Sequence, residues 1–194
     1  MIKFNKHVNK VLPYDRRQYK EYLLGELDPP TKWYRASFHL LIEEKEISLI
    51  QFVANYECWF KNIISRFDNN SFWIVNHDKT DEGWFPNNED NLTCLRALFK
   101  QNNIPNEFKG ALIFSKDELF KLSKDLISYP YAVFNDDHKF YTDLDISHGE
   151  LPFVIKILDH LSIHLLSTDK DLLRRVVNES CQDIFIIKQG KNKW

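Results

Sequence analysis

The sequence predicts an α+β fold in one domain. A largely helical N-terminal half precedes an antiparallel sheet of hairpins, with one or two helices packed across it. Three observations carry this expectation. Apolar residues from Leu49 to Phe67 recur at spacings of three and four, the signature of an amphipathic helix. Beyond Phe72 the pattern changes to short apolar runs separated by turn residues, as strands require. The 194 residues are 43% hydrophobic and 14% aromatic, enough bulky side chains for one core. No Pro- or Gly-rich linker, repeat or low-complexity tract divides them, so residues 1–194 are read as a single unit.

Taken in order, Pro13 opens a first helix, Tyr14–Leu24, with Tyr19, Tyr22 and Leu23 on one side and Gly25 as its stop. Asp28-Pro29-Pro30-Thr31 is a breaker. Residues 33–44 fit either a helix or a strand. The long helix spans about 46–67 and ends at Asp68-Asn69-Asn70. Phe72–Val75 reads as a strand, His77–Asn88 as a polar loop, and Leu92, Leu95, Leu98 and Phe99 as a helix. Ala111–Phe114 is a strand leading into a capping box, Ser115-Lys116-Asp117-Glu118, whose helix runs to about Ser128 before Pro130. Tyr131–Phe134 and Lys139–Asp145 read as one hairpin, Phe153–Leu158 and Leu161–Leu166 as a second. A helix from Thr168 or Asp169 to Glu179 and a strand at Asp183–Lys188 complete the chain.

Composition excludes several classes of function. Lys and Arg total 26 against 28 Asp and Glu, so the chain lacks the basic excess of a nucleic-acid binder. Cys58, Cys94 and Cys181 form no C-x-x-C pair, which argues against zinc fingers and disulfide scaffolds and suits a reducing compartment. The start, Met1 to His7, has no apolar signal core, and no run approaches the roughly 18–20 residues that span a bilayer. A cytoplasmic protein without membrane contact is expected. The five glycines (Gly25, Gly83, Gly110, Gly149, Gly190) are far apart, so no phosphate-cradling loop can form, and no serine-hydrolase elbow is present. No cofactor or small-molecule substrate is expected.

Charge is unevenly placed. Residues 1–20 hold Lys3, Lys6, Lys10, Arg16, Arg17 and Lys20 against Asp15 alone, which reads as a solvated basic helix face. Residues 136–150 hold Asp136, Asp137, Asp143, Asp145 and Glu150 against Lys139. Asp143 and Asp145, two apart on a strand, share a face, and two such carboxylates either bind a cation or repel. Three readings of this segment compete: a solvated acidic hairpin, a divalent-metal site with His138 and His148, and a docking surface for a basic protein. The loop at 77–88 adds Glu82 and, with Trp84 and Phe85, aromatics that either tuck into the core or anchor an interface. His160 and His164 lie four apart, but in an alternating pattern that denies them the common face of a helix. The Glu43-Glu44-Lys45 triplet is of a kind that metal nucleases carry, and also of a kind that arises by chance in a chain 28% charged.

In overall composition and size the chain resembles the immunity proteins of bacterial polymorphic toxin systems, such as contact-dependent growth inhibition. The resemblance covers the character of the whole chain and no single motif. It implies a non-enzymatic binding protein that caps the active site of a cognate toxin domain, often a nuclease. A nuclease site attracts phosphate, so its inhibitor should present carboxylates and aromatic anchors. The expected partner-binding residues are Asp136, Asp137, Asp143, Asp145, Glu150, Glu82 and Trp84, with no catalytic or metal residues. The alternatives are a metal-dependent phosphodiesterase using Asp136, His138, Asp143, Asp145 and His148, and an interaction module of a phage or mobile element.

Overall fold

The structure, a computed structural model, describes residues 2–25, 32–40, 48–79, 82–160, 162–180 and 184–192. The expected breaker at 28–31, the Glu43-Glu44-Lys45 triplet and Cys181 lie outside the described residues.

Eight strands form one sheet, antiparallel at every pairing: β1 (Lys3–Asn5), β2 (Tyr34–Leu40), β3 (Phe72–His77), β4 (Ala111–Ser115), β5 (Leu144–His148), β6 (Phe153–Ile157), β7 (Ser162–Ser167) and β8 (Phe185–Gln189). Their spatial order is β1-β4-β3-β5-β6-β7-β2-β8. The helices are α1 (Arg16–Leu24), α2 (Leu49–Ser65), α3 (Thr93–Gln101), α4 (Lys116–Ala132) and α5 (Lys170–Ser180). The α+β class therefore holds.

Local chemistry explains the helix starts. The Asp15 side chain accepts from the Arg17 amide at the head of α1, and Gly25 closes that helix in the left-handed region at φ 71°. Both α2 and α4 open on reciprocal capping boxes, Ser48 with Gln51 and Ser115 with Glu118.

Strand alternation then sorts the sheet into two faces. On one, Phe38, Trp73, Val75, Phe114, Leu144, Ile146, Phe153, Ile155, Ile163 and Leu165 join a single core with α2, α3, α4 and α5. Trp59, Phe60, Ile63 and Leu126 are fully buried there. On the other face α1 and Trp33 cover Val154 and Leu166, with Tyr19 buried between them. Each buried aromatic ring removes on the order of 150–250 Å² from water, so both layers have a large hydrophobic driving force.

The structure refines the elements in four places. Strands occur early in the chain, since beside α1 and α2 the first half contributes β1, β2 and β3 to the sheet. The ambiguous run at 33–44 is a strand where described. β2 lies between β7 and β8, so its partners come from the far end of the sequence. Pro130 does not stop α4. It sits in the last turn and costs one amide donor, while Val133 N donates to Tyr129 O to finish the helix. The first expected hairpin shrinks to one bridge, Phe134 to Phe140, because the segment's strand, β5, starts only at Leu144 and pairs with β3 and β6. The second hairpin, β6–β7, forms as read. No described helix is long and apolar enough to cross a membrane.

Candidate functional site

The expected acidic residues separate into three places. Asp136 and Asp137 are exposed at the tip of the turn that joins Phe134 to Phe140. Asn135 holds this turn, its Oδ1 accepting from the amides of Asp137 and Lys139 at 3.1 and 2.9 Å. Glu82 is exposed on the neighbouring loop. Two hydrogen bonds join turn and loop: Tyr141 Oη donates to Gly83 O at 2.8 Å, and Asn87 Nδ2 donates to Phe134 O at 3.0 Å. Lys79 lies over the Tyr141 ring at 4.8 Å. Phe140, 46% exposed, stacks on Phe134 at 5.2 Å. The two hydrogen bonds hold the loop that carries Glu82 against the segment that carries the Asp136–Asp137 turn and the exposed Phe140, and Lys79 Nζ lies 3.7 Å from Glu82 Oε1.

Trp84 is not exposed with Glu82. It is fully buried, donates from Nε1 to Gly110 O at 3.0 Å, and packs against Phe99 and Tyr129. A polar loop encloses it because its own backbone pairs inward, Trp84 N to Phe108 O and Phe85 N to Asn106 O. Glu150 is exposed but stands beyond the far end of β5, roughly 17 Å along the strand at about 3.4 Å per residue.

Asp143 and Asp145 do share a face, as their spacing requires, and the cation they meet is the chain's own. Lys156 Nζ lies 2.6 Å from Asp78 Oδ2, 3.2 Å from Asp143 Oδ2 and 3.4 Å from Asp145 Oδ1. Asp145 is 1% exposed and Lys156 3% exposed, so neither offers surface to a partner. The sheet register places them in one polar row, Asn76–Asp145–Lys156–His164–Ser37–Lys188, each opposite the next across six strands.

α1 closes over this row. Tyr19 Oη donates to Asp145 Oδ1 at 2.9 Å, and Tyr14 Oη pairs with Ser147 Oγ at 2.8 Å. Lys20 Nζ and Arg16 Nη2 donate to Asp78 O at 3.2 and 3.3 Å. Burial pushes Asp145 up to about 7 against the pull of Lys156. Burial also opposes ionisation of Asp78, but Lys156 outweighs it and holds that carboxyl below its usual range. Lys156 itself is held above the ordinary lysine range, because Asp145, Asp78 and Asp143 outweigh its burial.

The residues of the phosphodiesterase alternative are not brought together. His138 is on the exposed turn. His148 is on the helix-covered face, between Phe67 and Trp73, its Nδ1 accepting from the Glu150 and Leu151 amides. Among the described residues no group of three or more His, Cys, Asp or Glu side chains is arranged to hold a metal ion. Cys58 and Cys94 are free and exposed.

The sequence reading missed Lys156, Asp78, Tyr14 and Tyr19. One signal was available: Lys156 interrupts the otherwise apolar run Phe153-Val154-Ile155-Lys156-Ile157-Leu158, and a lone charge there must find a buried partner. No protein-family model matches the chain, and no curated protein or solved structure matches it.

Proposed function

We propose that the protein is a binding protein that neutralises a cognate toxin domain by covering its electropositive active site, in the manner of immunity proteins. One observation carries the reading. The Tyr141–Gly83 and Asn87–Phe134 hydrogen bonds join the loop bearing the exposed Glu82 to the segment bearing the exposed Asp136, Asp137 and Phe140, which supports reading them as parts of one docking surface. Exposed carboxylates steer a basic partner, and a half-exposed ring supplies a desolvated centre once covered. The docking set is accordingly Glu82, Asp136, Asp137 and Phe140, in place of the larger set expected from sequence.

The test is co-expression with the product of the neighbouring upstream gene, followed by pull-down and a growth assay. A stoichiometric, salt-sensitive complex that relieves toxicity supports the reading. Glu82→Lys with Asp136→Lys and Asp137→Lys should then weaken the complex well over tenfold while the circular dichroism spectrum is unchanged. Equal affinity in the charge-reversed variant removes this surface. The absence of both complex and protection removes that gene product as the partner and the immunity reading with it.

A further inference from the structure

The basic N-terminal segment builds a face of its own. The sheet register puts Lys3, Ile113 and Ile74 in one row across β1, β4 and β3, with Phe72 on the same face two residues before Ile74. The short 3-10 turn Val8–Lys10 packs on this face, its Val8 buried against Ile74 and Ala111. The turn covers only part of the face. It leaves an open cleft of about 810 Å³, lined by Ile113, Phe72 and Val11, by Lys3 and Lys10, and by the Asn69–Ser71 loop and the start of α4. A second cleft of about 340 Å³, lined by Lys6, His7, Asn9 and Arg16, shares Lys10 with the first.

Charge and shape agree at this face. Lys3, Lys6 and Lys10 are exposed, and none is ion-paired among the described residues. The carboxylate that lines the larger cleft, Glu118, is already engaged at the head of α4 by the Ser115 amide and hydroxyl, at 2.8 and 2.9 Å. Phe72 is 36% exposed although it sits in a strand of the sheet. Its ring lies against Gly149, where a Cβ would stand 2.3 Å from Cε2, so a side chain there would displace the ring. A held, open ring beside unpaired cations is the pair of features that single-stranded nucleic acid needs: a flat apolar surface for a base and positive charge for its phosphates.

We propose that this face binds single-stranded nucleic acid. A base stacks on Phe72 in the larger cleft, Lys3 and Lys10 neutralise the phosphates on either side of it, and Lys6 carries the track into the second cleft. The larger cleft has the volume of a small-ligand site, enough for a nucleotide. Two clefts joined at one lysine suit a ligand whose charge repeats along a chain better than a single anion. The balance of 26 basic against 28 acidic residues does not oppose this, because the acidic side chains are placed elsewhere. Asp78, Asp143 and Asp145 are engaged by Lys156, and Glu82, Asp136 and Asp137 stand on the docking loops. None of the residues lining the two clefts belongs to those loops.

The experiment is fluorescence anisotropy of labelled oligo(dT) and oligo(U), each of about ten nucleotides, titrated with the whole chain. Both should form a one-to-one complex, since a stack needs only the face of a base. Three phosphate contacts predict that it weakens roughly twentyfold from about 50 to about 200 mM salt. Lys10→Glu should weaken it at least about tenfold and flatten the salt dependence, whereas Lys139→Glu, the same change of charge outside both clefts, should leave it within about twofold. Phe72→Ala should weaken it about 5- to 150-fold, the loss of one base–ring stack, and Phe72→Trp should keep it. Absence of a complex at the lower salt overturns the proposal, and so does an equal effect of Lys10→Glu and Lys139→Glu. Inorganic polyphosphate that competes as well as the oligonucleotide, or binding to phosphatidylglycerol vesicles alone, also overturns it, because neither uses a base. If Phe72→Ala does not fold, Phe72→Trp carries the test: oligo(dT) should quench the added indole relative to wild type, and an unquenched indole refutes the stack.

Discussion

Replacing Lys156 by Met is the sharpest perturbation this fold offers. Methionine keeps most of the stem that packs in β6 and removes only the ammonium that three carboxylates approach within 3.4 Å. Breaking a buried ion pair by removing one partner costs about 3–5 kcal/mol, because the remaining charge stays buried. For a chain of this size each kcal/mol shifts Tm by about 2–4 °C, so at pH 8 the midpoint should fall by about 6–20 °C. The loss should shrink on acidification. Without the ammonium the fold keeps at least one extra proton on its carboxylates, and one proton held from pH 8 to pH 5 is worth up to about 4 kcal/mol. At pH 5 the variant should thus lie within about 1–2 kcal/mol of wild type. The wild-type lysine cannot produce this trend, since its raised value keeps it charged across the whole interval. Urea titrations at both pH values, with exposed Lys139→Met as control, measure the difference. A loss under about 1 kcal/mol at pH 8, or one equal at both pH values, would show that the three aspartates do not depend on this cation.

Other outcomes are equally concrete. Trp84→Ala should cost about 3–5 kcal/mol in urea unfolding, as expected of a filled core position, whereas Phe140→Ala should leave stability nearly unchanged. Gly110→Ala should destabilise by about 2 kcal/mol or more and release β1, seen as rapid exchange at Lys3–Asn5. Gly110 has φ 137°, and a Cβ there would stand 2.3 Å from Asn5 O. Ser115→Ala should cost about 1 kcal/mol and fray the first turn of α4. His164→Asn should flatten the acid limb of stability. Burial and nearby cations lower His164 to about 3, so its contribution is present above about 6.5 and lost as pH falls towards 3. Persistence of the full acid limb in that variant would assign it to other groups.

The elements set by local rules were legible in the sequence. The periodicity from Leu49 to Phe67 and the Ser115–Glu118 capping box are decided within a few residues, and α2 and α4 appear where they indicate, although the second box, Ser48 with Gln51, was not read from the sequence. So does the β6–β7 pair, whose strands are neighbours in sequence. Elements decided at long range were not legible. β2 is a strand because Ala36, Phe38 and Leu40 meet β7 and β8, more than a hundred residues away. The same limit governed the candidate site. Spacing gave the common face of Asp143 and Asp145, but their exposure depended on Lys156 opposite and on α1 above, which spacing does not reveal. Trp84 was misplaced because the polarity of its neighbours says nothing of the carbonyl at Gly110 that accepts its Nε1 proton.

The position of β2 also sets a timetable. Its neighbours on both sides, β7 and β8, begin at Ser162 and Phe185, so β2 can pair only after well over a hundred further residues have been made. At about 5–20 residues per second, β2 leaves the ribosome several seconds or more before either partner exists. The β3–β4–β5–β6 block can assemble in the meantime, since its strands pair among themselves. Refolding of the whole chain should accordingly proceed in two stages: rapid formation of the central block, then slow closure of the β7–β2–β8 edge limited by the entropy of a long loop.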